Sequence, residues 1–222
     1  MLHDKLNLNK HIKEPINAFT HLIGVLLSIV GLITIILKAI NLNNPYYIVG
    51  AIIYGSSLIL LYSASTIYHW IKGGEKIQNL LRKIDHTMIY ILIAGTYTPL
   101  CLSTLKGRLG LGLLIAVWAL AIIGIITTMI WIHAPRWLYT GFYLLLGWVG
   151  ILFIWPIFNA LEFTGFLVFL LGGVFYTLGA VIYGKKFEIL NFKGFGFHEI
   201  FHLFILMGSI FHFIMVNNYI FI

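Results

Sequence analysis

Two histidines one helical turn apart, His198 and His202, sit inside the last strongly apolar stretch of this 222-residue chain, in the run His198-Glu199-Ile200-Phe201-His202. On a helix, residues four apart lie within about 40° of one another on one face, so both imidazoles can reach a single metal ion. Ionisable side chains in an apolar span are costly and usually mark a function. The run also satisfies H-E-x-x-H, the zinc-protease pattern in which the glutamate is the general base. The extended protease pattern, however, needs Gly and His where Ile205 and Gly208 stand, and no carboxylate follows Glu199. A third ligand must come from upstream, which makes Glu199 dispensable as a base.

Positioning such groups requires elements that hold them in grease. Hydrophobic residues make up 60% of the chain and charged residues only 9%, against roughly 25% charged in a soluble domain. The chain reads as an all-α, multi-pass protein of the plasma membrane. Its net charge of +7 comes from basic residues in the gaps between apolar runs, a topology signal and not a nucleic-acid footprint. One cysteine, Cys101, excludes a disulfide framework and a cysteine-type zinc motif. Any metal must therefore be held by His and carboxylate. Residues 1–16 form a short polar segment with no signal-peptide cleavage signature, and residues 17–222 form the membrane domain.

At about 20 apolar residues per crossing, seven helices are expected near 17–38, 47–70, 84–104, 109–131, 136–158, 163–184 and 197–219. Turn chemistry separates them at Asn41 to Pro45, Gly73-Gly74, Lys106-Gly107-Arg108, His133-Ala134-Pro135 and Lys185 to Gly196, the last containing Gly194. With the N-terminus inside, the cytoplasmic side receives Lys5, Lys10, Lys13, Lys72, Lys76, Arg82, Lys83, Arg136, Lys185, Lys186 and Lys193. The outer side receives Lys38, Lys106 and Arg108. The bias places the N-terminus in the cytoplasm and the C-terminus outside.

That topology brings the costly residues to one leaflet. Glu14, Asn17 and His21 enter helix 1 on one face, Ser65 and His69 leave helix 2, Asp85 and His86 open helix 3, and His198 and His202 open helix 7. Helices 4 to 6 offer little comparable, and Glu162 falls at an outer end. A zinc ion accounts for the set, because it takes N and O ligands tetrahedrally and a catalytic site leaves one position for water. His69, His198 and His202 are the expected ligands. Asp85 is at a depth to hold the bound water, and Ser65 can support it. Glu14, Asn17, His21 and His86 are expected behind the ligands or on the substrate side. His212 falls about 15 Å from His202, out of reach of the same metal, and reads as a core or outer-leaflet histidine. His133, His3 and His11 read as solvated or interfacial.

The motifs Glu14-Pro15-Ile16-Asn17 with Thr20-His21, Ser65-Thr66-Ile67-Tyr68-His69, Arg82-Lys83-Ile84-Asp85-His86, Gly95-Thr96-Tyr97-Thr98-Pro99 and His198-Glu199-Ile200-Phe201-His202 together resemble the bacterial hemolysin III family, part of the progestin and adipoQ receptor group. The resemblance covers nearly the whole chain. It implies seven helices with an inward N-terminus, zinc on His69, His198 and His202, Asp85 holding a water, and Ser65 as its neighbour. It also implies two activities, since animal relatives are linked to ceramidase-like hydrolysis and bacterial members are named for haemolysis. The chain lacks the long N-terminal domain of the animal receptors, which argues against receptor signalling through it.

Several functions are therefore open. One is a zinc-dependent hydrolase of lipid amide or ester bonds engaged in membrane homeostasis. Another is a pore-forming cytolysin, against which stands the confinement of polar residues to one leaflet. Haem ligation is disfavoured because His198 and His202 share one helix face. A non-catalytic sensor clamped by zinc completes the set. Membrane lipids are the expected partners, with no protein partner implied.

Overall fold

The computed structural model describes residues 11–105, 107–131, 133–192 and 195–222. Lys5, Lys10, Lys106, Lys193, His3, Gly194 and most of the expected N-terminal segment lie outside these. The described residues are almost entirely helical: α1 (Pro15–Asn41), α2 (Pro45–Trp70), α3 (Glu75–Pro99), α4 (Gly107–Ile130), α5 (Arg136–Trp148), α6 (Ile154–Lys185) and α7 (Phe197–Met215). A π-turn, Leu100–Thr104, extends α3, and a 3-10 turn, Val149–Phe153, joins α5 to α6.

Six helical stretches are long and apolar enough to cross a membrane, the fifth of them running 50 residues from Arg136 to Lys185. A straight helix of that length would exceed a bilayer core of about 30 Å more than twofold. Instead it turns back at Glu162, whose backbone is non-helical at φ 58° and ψ 174°. The Trp148 indole donates to Thr177 Oγ1 at 3.0 Å, and the Arg136 guanidinium lies over the Tyr183 ring at 4.5 Å. Both pairs bracket Glu162 almost symmetrically, as an antiparallel hairpin requires.

Contacts fix which helix ends meet. The Glu14 amide donates to the His69 carbonyl at 2.9 Å, so the start of α1 abuts the end of α2. Lys83 donates to the Met129 carbonyl at 2.7 Å, Arg82 to the Tyr139 hydroxyl at 3.1 Å, and Asn17 to Glu199 at 2.9 Å. One end of the bundle thus gathers the starts of α1, α3, α5 and α7 and the ends of α2, α4 and α6. Outward faces are apolar, with Ile23, Leu26, Val30 and Ile33 of α1 exposed, whereas Asn17, His21 and Ser28 of the same helix are buried. This inside-out pattern suits a lipid solvent. Small residues let the helices approach closely: a Cβ on Gly24 would stand 2.5 Å from the Tyr62 ring, and one on Gly208 2.5 Å from that of Tyr176.

One boundary differs clearly from expectation. The third helix begins at Glu75 and not near residue 84. Its first turns, Glu75 to Lys83, mix charged and apolar side chains, too polar to count as an apolar span yet amphipathic enough to continue the helix outward.

Candidate metal centre and cavity

Two helix ends carry the three histidines. His69 sits in the last turn of α2, where Ile71 leaves the helix for an extended conformation. His198 and His202 occupy the first and second turns of α7, which begins after Gly196 in extended backbone. The ligand atoms of His69, His198 and His202 lie within 4.8 Å of one another, and the group could hold a metal ion. Ring centroids are 5.0 Å apart for His69 and His198, 4.8 Å for His69 and His202, and 4.9 Å for His198 and His202.

The donor chemistry fits such an ion. His69 Nδ1 lies 2.6 Å from Glu14 Oε2, so a neutral His69 ring donates there and leaves Nε2 as its lone-pair face. That Nε2 is buried with no hydrogen-bond partner. An imidazole whose far N–H is held by a carboxylate is the usual arrangement of a metal-binding histidine. A tetrahedral ion would bring the nitrogens to about 3.4 Å apart, so a shift of about an ångström closes the set. Burial acts to raise the Glu14 carboxyl, but the hydrogen bond from His69 and the nearby charge of Lys13 act to hold it below the usual carboxylate range. Glu14 is therefore a standing acceptor for His69.

Glu199 is occupied otherwise. Its Oε2 accepts from the Gly196 amide at 2.8 Å and its Oε1 from Asn17 at 2.9 Å. The same Asn17 amide also reaches Glu14 Oε2 at 3.3 Å. Glu199 closes the α7 N-terminus as a capping-box carboxylate and ties it to α1. It does not belong to the histidine group.

Ser65 and Asp85 both line a cavity of about 140 Å³ together with His198, His202, His21 and His86. His21 stacks on His202 with centroids 3.7 Å apart, and neither of its ring nitrogens has a partner. His86 stands apart from the trio, packed against Tyr139 at 5.0 Å with Nδ1 unpartnered. Among the expected site residues, all therefore reach one end of the bundle, but only three form the ligand group. His133 lies in the turn before α5, and both it and His11 are exposed.

Beyond its polar end the cavity is walled by apolar and aromatic side chains such as Leu92, Leu144 and Phe169, and it reaches His212. His212 is buried, holds the Phe169 carbonyl at 3.2 Å and lines this same cavity. The expectation of a core or outer-leaflet histidine omitted that connection, which depends on α6 folding back along α7. The sequence reading likewise assigned nothing to Thr140, Tyr143 and Tyr183, which line the cavity from α5 and α6. Their hydroxyls, spread over aromatic helices, carry no motif.

Comparison with known proteins points to one family. The family described as "Haemolysin-III related" matches residues 9–213. The chain is similar to the "Hemolysin-3 homolog" of Bacillus subtilis (strain 168), 43% identical over 200 residues, covering 89% of this chain and 90% of that one. It is 40% identical to "Hemolysin-3" of Bacillus cereus over 214 residues, covering 96% and 94%. A more distant likeness, 26% over 209 residues and covering 92% and 83%, is to the human "Monocyte to macrophage differentiation factor".

Proposed function

The chain belongs to the haemolysin III-related family, and from that premise we propose that it is a zinc-dependent hydrolase of lipid ester or amide bonds, acting at the cytoplasmic leaflet. The observation that carries the proposal is the buried trio His69, His198 and His202, with its free Nε2 on His69, opening onto an apolar cavity. An apolar cavity ending in a few polar groups suits a lipid chain with its carbonyl at the polar end. Zinc held there supplies Lewis acidity for that carbonyl and a water acidified for attack near neutral pH.

The protein's own groups do the rest. Glu14 fixes the tautomer and angle of His69. Asp85 accepts a proton from the attacking water and returns it to the leaving group, and the Ser65 hydroxyl keeps its carboxylate oriented toward the cavity. The hairpin at Glu162 supports seven crossings, and the charge distribution supports a cytoplasmic N-terminus. Among the described residues Lys13, Lys72, Lys76, Arg82, Lys83, Arg136, Lys185 and Lys186 lie at the histidine end, against Lys38 and Arg108 at the other.

Zinc-loaded protein in lipid nanodiscs should release fatty acid from an ester or amide lipid, and Asp85→Asn should slow release by about 100-fold or more. No turnover across glycerolipids and ceramides, with zinc bound, would overturn the hydrolase reading. A second reading, a cytolysin, is favoured by the names of the two bacterial relatives. Dye release from liposomes that persists in Asp85→Asn would support it in place of hydrolysis.

A further inference from the structure

Two arginines flank the histidine end without an acidic partner. Neither Arg82 nor Arg136 has a carboxylate within ion-pair distance among the described residues. A cation placed only to set topology points its nitrogens into water. Arg136 does not: its Nη1 is buried and has no hydrogen-bond partner. Its guanidinium lies 4.5 Å over the Tyr183 ring and 5.6 Å over that of Phe197. Tyr183 in turn lines the cavity and meets the His198 ring at 5.3 Å. Arg136 is therefore one aromatic ring away from the metal centre.

Arg82 is tied to the same end through a hydroxyl and not through a ring face. It donates to the Tyr139 hydroxyl at 3.1 Å, and the Tyr139 ring packs on His86, which lines the cavity. Tyr183 also lies within the electrostatic reach of both guanidinium groups. Aromatic faces hold the Arg136 fork and leave its Nη1 uncommitted, and the Tyr139 hydroxyl anchors Arg82. That is the arrangement arginine favours for binding an oxyanion.

We propose that Arg82 and Arg136 form an anion clamp at the mouth of the cavity, taking the phosphate of a glycerophospholipid whose acyl chain enters the cavity and whose ester carbonyl meets the histidine end. This rests on the lipid-site part of the function proposed above and narrows its substrate class. In a glycerophospholipid the phosphate and the ester carbonyls are separated by a handful of bonds, which matches a clamp one ring removed from His198. A ceramide or diacylglycerol offers no anion to Arg136 and would leave its buried Nη1 unpaired, a desolvation cost. The two lipid classes are thereby distinguished by charge and not by chain.

The test measures binding of the full-length, zinc-loaded protein to lipids of matched chains: phosphatidic acid and phosphatidylglycerol against diacylglycerol and ceramide, with inorganic phosphate as a separate arm. The clamp predicts at least about 10-fold tighter binding of the phosphate-bearing lipids, as hydrogen bonds to charged groups imply. In Arg136→Gln and in Arg82→Gln the ratio should fall toward one, with Arg136→Lys intermediate because it keeps charge but loses the fork. A unit ratio in the parent protein, or a ratio unchanged in both glutamine variants, overturns the clamp. Inorganic phosphate binding as tightly as phosphatidic acid assigns the site to a free anion and overturns the lipid assignment. Hydrolysis without charge selection removes the clamp and leaves the hydrolase. Charge selection without turnover keeps the clamp and removes the hydrolase.

Discussion

Glu14 Oε2 lies 2.6 Å from Nδ1 of His69, joining the residue just before α1 to the last turn of α2. The bond leaves the remaining nitrogen of His69 buried and without a hydrogen-bond partner, in a group that could hold a metal ion. Glu14→Gln keeps the shape but weakens the acceptor. The expected result is a loss of metal affinity of about 10- to 100-fold, read by chelator competition, with helix content unchanged in circular dichroism. Affinity equal to the parent protein would remove Glu14 from the metal centre.

Glu199 provides the complementary case. Because it caps the Gly196 amide and holds Asn17, Glu199→Ala should cost about 1–2 kcal/mol of stability and leave metal content at the parent level. Thermal unfolding in detergent and elemental analysis of the same sample check both halves. Loss of metal without loss of stability would restore the protease-like role suggested by H-E-x-x-H.

The hairpin at Glu162 holds a non-glycine residue at φ 58° and ψ 174°, a region used almost only by glycine and costing about 1–3 kcal/mol. Glu162→Gly is accordingly expected to raise the unfolding midpoint of the detergent-solubilised protein. A lower midpoint would mean that the Glu162 side chain contributes more than its backbone costs.

Helix packing around the site is tight at Gly24, where a Cβ would come within 2.5 Å of the Tyr62 ring. That ring cannot easily yield, because its hydroxyl donates to Ser209 Oγ at 2.6 Å. Gly24→Ala should destabilise by about 1–3 kcal/mol, seen as a lower midpoint in thermal unfolding. A neutral outcome would show that α1 can slide on α2 without disturbing the bundle.

The histidine trio is legible in the sequence because buried charge is rare in lipid and because spacing on one helix fixes a shared face. His69 follows from depth once the spans are placed. The Glu14 to His69 bond and the Glu199 cap are not legible at that level, since both depend on how helix ends from α1, α2 and α7 meet. The hairpin shows a similar limit. Hydropathy suggests two spans around residue 160, but no glycine or proline marks the reversal at Glu162, and the helical stretch runs on through it. The cavity and its flanking arginines are least legible, because Arg136 and Arg82 differ from topology cations only by the tyrosines that hold them. His212 reads as isolated until α6 returns along α7 and places it at the far end of the same space.

The central claim is a zinc ion held by His69, His198 and His202. Elemental analysis of the purified protein should find about one zinc per chain, falling to a small fraction in His69→Ala and in His202→Ala, while His212→Ala retains it. Zinc absent from the parent protein under metal-replete growth, or present equally in the His69 and His202 variants, would contradict the account.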